Sequence, residues 1–256
     1  MDTCAWTKKG LRLALAFVAV VQPAIAKADE ATYKASEKPS LTYTVTGYLW
    51  ASGLNGTESL FGLPTVDVDL NFSDLLNSLD FAAAGVIHVR RDRFGFLGEL
   101  NYVKLSGGAT GPGGIVTGSF ETKSFFALAA VTYRAAEADW GNVDLIGGLK
   151  YFRLENTVAL SPPPVTASDS ENWVDVTIGA KGRFFLSPDW SVTTWAMVGA
   201  GGSDLSWDVL GAVDYQINPK WSVSVGYRAT GVDYTSPQFS YDMVQSGPTL
   251  ALTARF

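Results

Sequence analysis

Thiol chemistry is nearly absent from this sequence. Among 256 residues there is one cysteine, Cys4, and it precedes the short apolar segment Leu13–Val21. A lipid-anchoring cysteine would follow such a segment, so lipidation at Cys4 is not expected. No other position can supply a disulfide, a cysteine-based metal site or a cysteine nucleophile. Scarce thiols suit an oxidising compartment such as the periplasm or cell surface. Histidine is equally rare, with His88 alone. Charged residues make up 17% of the chain and form no basic patch, which excludes a nucleic-acid footprint and leaves no nucleic acid among the expected partners. Beyond the N-terminal segment no run reaches about eighteen apolar residues, so no transmembrane helix is expected. No G-x-S-x-G, H-E-x-x-H or phosphate-loop pattern occurs. Catalytic, cofactor-binding and metal-binding residues are therefore not assigned, and no enzyme activity or cofactor is expected.

What is present begins with a targeting segment. Lys8, Lys9 and Arg12 precede Leu13–Val21, and Ala24-Ile25-Ala26 places small residues where a signal peptidase reads them. Ala26-Lys27-Ala28 offers a second register. The apolar run has nine residues, against about twenty for a membrane-spanning helix. Residues 1–26 are read as a signal peptide, 27–40 as a periplasmic lead and 41–256 as one folded domain. Cleavage after Ala26 removes three basic residues and one acidic residue, leaving the remainder more acidic than the whole chain's net charge of −6.

The folded part alternates with a period of two, the mark of strands with two unlike faces. From Trp221 to Thr230 one face reads Trp221, Val223, Val225, Tyr227, Ala229. The other reads Ser222, Ser224, Gly226, Arg228, Thr230. Trp207–Ile217 and Trp173–Phe185 behave alike. About ten strands are expected, at 41–52, 80–91, 94–106, 118–134, 142–156, 171–186, 190–201, 206–217, 221–234 and 246–256, with eight as the alternative number. Most exceed the five or six residues usual in soluble sheets. They match the roughly nine to eleven that a tilted strand needs to cross a membrane.

The connections alternate as well. Arg91-Asp92-Arg93, Glu137–Gly141, Ser187-Pro188-Asp189 and Asn218-Pro219-Lys220 are tight. Each contains or directly precedes an aromatic residue: Phe94, Trp140, Trp190 or Trp221. Longer connections are expected at 53–79, 107–117, 157–170 and 235–245. Tight turns at one end, longer loops at the other and an aromatic girdle at the interface fit a transmembrane antiparallel up-and-down β-barrel. A secreted sandwich would also alternate, but its apolar faces would pack together and need no aromatics at the hairpin ends. Hydrocarbon offers no partner for an open strand edge, so a membrane sheet must close. The C-terminal strand ends on Phe256, read as an assembly signal.

On this reading the lumen holds a polar network of Arg90, Glu99, Lys150, Asp175, Lys181, Arg183, Asp208, Asp214, Arg228 and Arg255. His88, Arg134 and Asp144 share that face, with bulky Tyr48, Trp50, Phe126, Phe152, Trp173, Phe185 and Trp195. Confined charges of both signs should pair, and a barrel of this size is nearly filled by side chains. The longest connection contains Phe72, Leu75, Leu76 and Leu79 at helical spacing, with Asn71 or Ser73 as cap. This short helix is expected to cap the barrel mouth, the alternatives being the outer leaflet or a partner. Asp67-Val68-Asp69-Leu70-Asn71 begins like a calcium loop, but Phe72 stands where glycine is required.

The stretches Gly47-Tyr48-Leu49-Trp50, Val66–Leu76, Gly226-Tyr227-Arg228 and Gly247-Pro248 complete the picture. With them the chain resembles the small outer-membrane β-barrel proteins of Gram-negative bacteria, the OmpA-like, OmpW-like and opacity-type group. It is most similar to a proteobacterial set whose motifs carry no known chemistry. The resemblance implies an outer-membrane location. The implied partners are outer-membrane lipid, periplasmic chaperones and the barrel-assembly machinery, with the small-molecule ligand unspecified. Two functions are consistent with it. One is a largely plugged barrel with a structural or surface-interaction role. The other is a porin-like narrow channel or OmpW-like conduit for small or apolar solutes.

Overall fold

The computed structural model describes residues 41–256 apart from 60, 61, 63 and 111–116. The signal-peptide and periplasmic-lead readings lie outside these residues. Among the described residues, twelve strand segments and one short helix follow one another in this order. First come β1 (Leu41–Trp50), β2 (Gly53–Ser59), β3 (Val66–Leu70), α1 (Phe72–Asn77), β4 (Leu79–Arg91) and β5 (Phe94–Thr110). Then come β6 (Thr117–Ala138), β7 (Gly141–Ser161), β8 (Val165–Phe185) and β9 (Trp190–Gly201). The last are β10 (Leu205–Gln216), β11 (Trp221–Ser236) and β12 (Phe239–Arg255).

Each strand from β4 to β12 pairs antiparallel with the next, and β12 returns to pair with both β1 and β2. Segments β1 and β2 are lower and upper parts of one wall strand, interrupted at Ala51-Ser52. Segments β4 and β3 form its neighbour, with α1 between them. The sheet is thus a closed, ten-stranded, transmembrane up-and-down barrel. Closure matters because every strand edge inside a membrane must find a hydrogen-bond partner.

Alternation sets the two faces. On β5 the outward series is Phe94, Phe96, Gly98, Leu100 and Tyr102, followed by Lys104. On β6 it runs Tyr133, Val131, Ala129, Ala127 and Phe125, followed by Lys123. On β7 it is Val143, Leu145, Gly147, Leu149 and Tyr151, followed by Arg153. Each apolar run therefore ends on an aromatic and meets charge about nine residues above the turn end, the length a tilted strand needs to cross hydrocarbon. Above that line an exposed ion ladder runs across neighbouring strands. Lys104 Nζ lies 3.0 Å from Glu121 and 3.6 Å from Asp80. Lys123 Nζ bridges Glu121 at 3.0 Å and Glu155 at 3.7 Å.

The wall does not stop at the membrane. Segments β6, β7 and β8 have 22, 21 and 21 residues, roughly twice what a crossing needs. This corrects the sequence expectation of loops at 53–79, 157–170 and 235–245 and, for residues 107–110 and Thr117 only, of the loop at 107–117. Strand pairing continues to Ser161 and resumes at Val165, with only 162–164 turning. The 235–245 connection contracts to a turn after Ser236. The physical reason is solvent on both sides: beyond the membrane neither face need be apolar, so alternation fades while pairing persists. By contrast β9 and β10 have 12 residues each, and the rim is low on that side.

Helix α1 is capped by Asn71, whose side chain accepts from Ser73 N–H at 2.8 Å and Asp74 N–H at 3.2 Å. Asp74 accepts from the Asn71 N–H at 3.1 Å and completes a capping box. The helix does not plug the mouth. None of its residues is buried, and Phe72 and Leu76 are about half exposed beside Leu70, Leu79 and Phe81. Asp67 and Asp69 belong to β3, where Asp69 takes a hydrogen bond from Asn55 rather than forming a calcium loop.

Candidate functional site: the lumen

Inward parity places Tyr48 on β1, Glu99 on β5, Lys150 on β7, Asp208 on β10 and Arg228 on β11. Their side chains meet at mid-height. The Arg228 guanidinium reaches across the barrel between two carboxylates. Nη1 and Nη2 donate to Glu99 at 2.5 and 3.1 Å. Nε and Nη2 donate to Asp208 at 3.0 and 2.6 Å. Tyr48 donates to Glu99 at 2.7 Å and accepts from Arg228 at 2.9 Å. Trp195 Nε1 and Lys150 Nζ donate to Asp208 at 3.0 and 3.3 Å.

Glu99, Asp208, Lys150 and Arg228 are all buried, so their charges are exposed to one another rather than to water. Two carboxylates face two cations, and the cluster is neutral. The planar guanidinium suits this place because it presents its donors as a fixed fork. Aromatic faces close the gaps: Arg228 Cζ lies 4.8 Å from the Trp195 ring centre and 5.2 Å from that of Trp50. Lys150 Nζ lies 4.9 Å from Phe126 and 5.0 Å from Phe152.

A second obstruction stands above it. Phe152 stacks on Trp173 at 5.2 Å, Trp173 on Tyr234 at 4.1 Å, and Phe239 on Tyr241 at 6.2 Å. Tyr234 Oη and Ser236 Oγ each donate to Glu171 at 3.0 Å. Asp175 accepts from the N–H and hydroxyl of Ser203 at 2.8 and 2.7 Å, holding the short 202–204 connection against the lumen. The sequence reading placed Phe152 and Trp173 inward and missed Tyr234, Phe239 and Tyr241. Their parity with Arg228 and Thr249 was the available signal.

Below the cluster, toward the tight-turn end, lies a cavity of about 560 Å³. Arg90, Lys181, Arg183, Asp214 and Arg255 line it, and so do His88, Arg134 and Asp144. Arg134 is held by Asp144 and lies 2.9 Å from Glu137. Asp214 accepts from Ser191 at 3.2 Å, Thr193 at 2.6 Å and Ser224 at 2.5 Å. His88 Nε2 is 3.0 Å from Thr132 Oγ1. Gly95 makes that contact possible, because a Cβ there would lie 2.6 Å from Thr132 Oγ1 and 2.9 Å from His88 Nε2. Phe185 also faces this opening. The network is therefore not one connected set. Arg228, Glu99, Asp208 and Lys150 converge, Asp175 and Asp214 have hydroxyl partners of their own, and Lys181 and Arg255 pair with no carboxylate among the described residues.

On the outer wall Phe94, Trp140, Trp190 and Trp221 point away from the lumen and are exposed. Phe94 packs on Tyr133 at 5.2 Å and Trp190 on Tyr215 at 4.9 Å. Phe256, also exposed, hydrogen-bonds through its backbone to Tyr43 and lies under Lys220 Nζ at 4.4 Å.

No protein-family model matches the sequence, and no curated protein matches it in sequence. Among solved structures, the outer membrane protease OmpT from Escherichia coli is 11% identical. That match spans 88% of this chain and 100% of OmpT, at a TM-score of 0.58. The translocator domain of the autotransporter NalP from Neisseria meningitidis is 14% identical. Here the match spans 98% of this chain and 96% of that one, at a TM-score of 0.51. At such identities the likeness concerns the fold, and the fold of this chain is that of the outer-membrane β-barrels of Gram-negative bacteria.

Proposed function

We propose that the protein is exported by residues 1–26 to the outer membrane. There it serves as a closed barrel with a structural or surface-interaction role rather than as an enzyme. The observation that carries this reading is the filled lumen: Arg228 with Glu99 and Asp208 at mid-height, and the Phe152–Trp173–Tyr234 stack above. A path for solute would have to break a buried, charge-balanced cluster. The tall wall of β6, β7 and β8 stands beyond the lipid and offers a polar surface to partners outside. The aromatics Phe94, Trp140, Trp190 and Trp221 would sit at the inner interface, and Phe256 would be read by the assembly machinery after delivery by periplasmic chaperones. OmpT is named a protease. His88 in this chain lies in the turn-end half of the lumen against a threonine, away from the outer surface, which supports a non-catalytic role.

The second reading is a narrow channel, favoured by the cavity below the cluster. Planar-bilayer recording separates the two. The closed reading expects no steady single-channel steps from the wild-type protein. Steady steps that change in Arg228→Ala or Asp214→Ala would establish the channel instead.

A further inference from the structure

We infer that the lower half of the lumen is a binding site for a small multivalent oxyanion of the phosphate class, entered from the periplasmic end. This goes beyond the closed-barrel reading but rests on it, because the Arg228 cluster forms the roof of the site.

The argument is one of uncompensated charge. Of the cations around the cavity, Arg228 is saturated by Glu99 and Asp208, and Arg134 by Asp144 and Glu137. Arg90 reaches Glu137 only at 4.0 Å, a carboxylate that Arg134 already holds. Arg183 donates to neutral groups, Ser191 Oγ at 3.0 Å and Gln216 Oε1 at 3.5 Å. The side chains of Lys181 and Arg255 have no hydrogen-bond or ion-pair partner among the described residues, although both line the cavity. The carboxylates lining the same space are Asp144 and Glu137, held by Arg134, Asp189 in a tight turn, and Asp214, which is engaged by three hydroxyls. Lys181, Arg183 and Arg255 thus line this space with no carboxylate in ion-pair contact, and apart from Arg228 five cations there face four carboxylates, whereas at mid-height the same barrel balances its charges fully.

Enclosure makes the imbalance matter. Low-dielectric walls strengthen the field of the unpaired cations and concentrate counter-ions in the cleft. Guanidinium forks match the oxygens of phosphate bidentately, and threonine hydroxyls from β1 and β12 line the same space. The space of about 560 Å³ is ample for such an ion. The wall between cavity and lipid is continuous sheet, so the ligand comes from water and not from a lipid headgroup.

The test is calorimetric titration of pyrophosphate into the protein purified from membranes in zwitterionic detergent at low salt. Saturable binding of one anion per barrel is expected, weakening as salt rises. Arg183→Gln, Arg255→Gln and Lys181→Gln should each lower affinity by about tenfold or more, since each removes a charge-assisted contact. Arg183→Lys should keep part of it, and Arg153→Gln, on the outer face, should leave it unchanged. Heat-modifiable electrophoretic mobility confirms that each variant is folded. Absence of saturable binding, or binding that persists undiminished in the three folded variants, would overturn the site. Either result leaves the closed lumen standing, since conductance tests that separately.

Discussion

At the scale of single residues, Arg228 joins most of the lumen. Its guanidinium spans the barrel from Asp208, one strand away, to Glu99 on the far wall. Taking those charges out of water is costly, and only their mutual contacts offset it. Arg228→Ala would leave two buried carboxylates with Lys150, the Trp195 indole N–H and the Tyr48 hydroxyl as their donors. We expect a loss of about 3–5 kcal/mol, the usual effect of removing one partner from a buried pair, read from urea unfolding in lipid vesicles. A loss below about 1 kcal/mol would mean the cluster is solvated, as exposed pairs are. A second residue-scale effect concerns Glu58, above the membrane on β2. Burial raises its pKa above the ordinary 4.5, although Asn156 donates to it at 3.2 Å. A carboxyl whose folded pKa is raised stabilises the fold below its unfolded pKa, and that contribution is lost as pH rises through the folded value. Stability measured from pH 4 upward should therefore fall across that window, and Glu58→Gln should abolish the fall. An unchanged profile in the variant would show that Glu58 is not the group responsible.

At the scale of elements, the strands were legible where lipid makes the two faces unlike. Segment β9 occupies the expected 190–201, and β11 differs only at its upper end. There the outward side must be apolar and the inward side carries the charges, so parity alone separates Val225 from Arg228. Parity could not say which inward residues meet. Glu99 and Arg228 are 129 positions apart, and only the tilt and stagger of the closed sheet bring them level. The outer extensions were illegible for a different reason. Thr157, Ser168 and Ser170 stand in water, so their polarity mimics a loop, and Pro162-Pro163-Pro164 strengthens that impression. Hydrogen exchange distinguishes the alternatives. Amides in 157–161 and 165–171 should be protected with those of the membrane strands; exchange as fast as that of a surface loop would restore the loop reading. Helix α1 shows the limit of period: spacing located it and Asn71 capped it, but period alone could not tell that none of its residues would be buried.

At the scale of the whole molecule, one sheet separates two unlike solvents. Its outer band is apolar for about nine residues per strand and edged by aromatic rings, as hydrocarbon demands. Its inner face is polar and largely filled, as a narrow barrel demands. Tryptophans report on both. Trp140, Trp190 and Trp221 point outward, whereas Trp50, Trp173 and Trp195 lie within the wall. The most direct test of this inside-out arrangement is fluorescence quenching by lipids brominated along their acyl chains, using variants that keep one tryptophan each. Trp140, Trp190 and Trp221 should be quenched strongly, and Trp50, Trp173 and Trp195 scarcely. Strong quenching of the second group, or protection of the first, would contradict a barrel whose apolar face meets lipid.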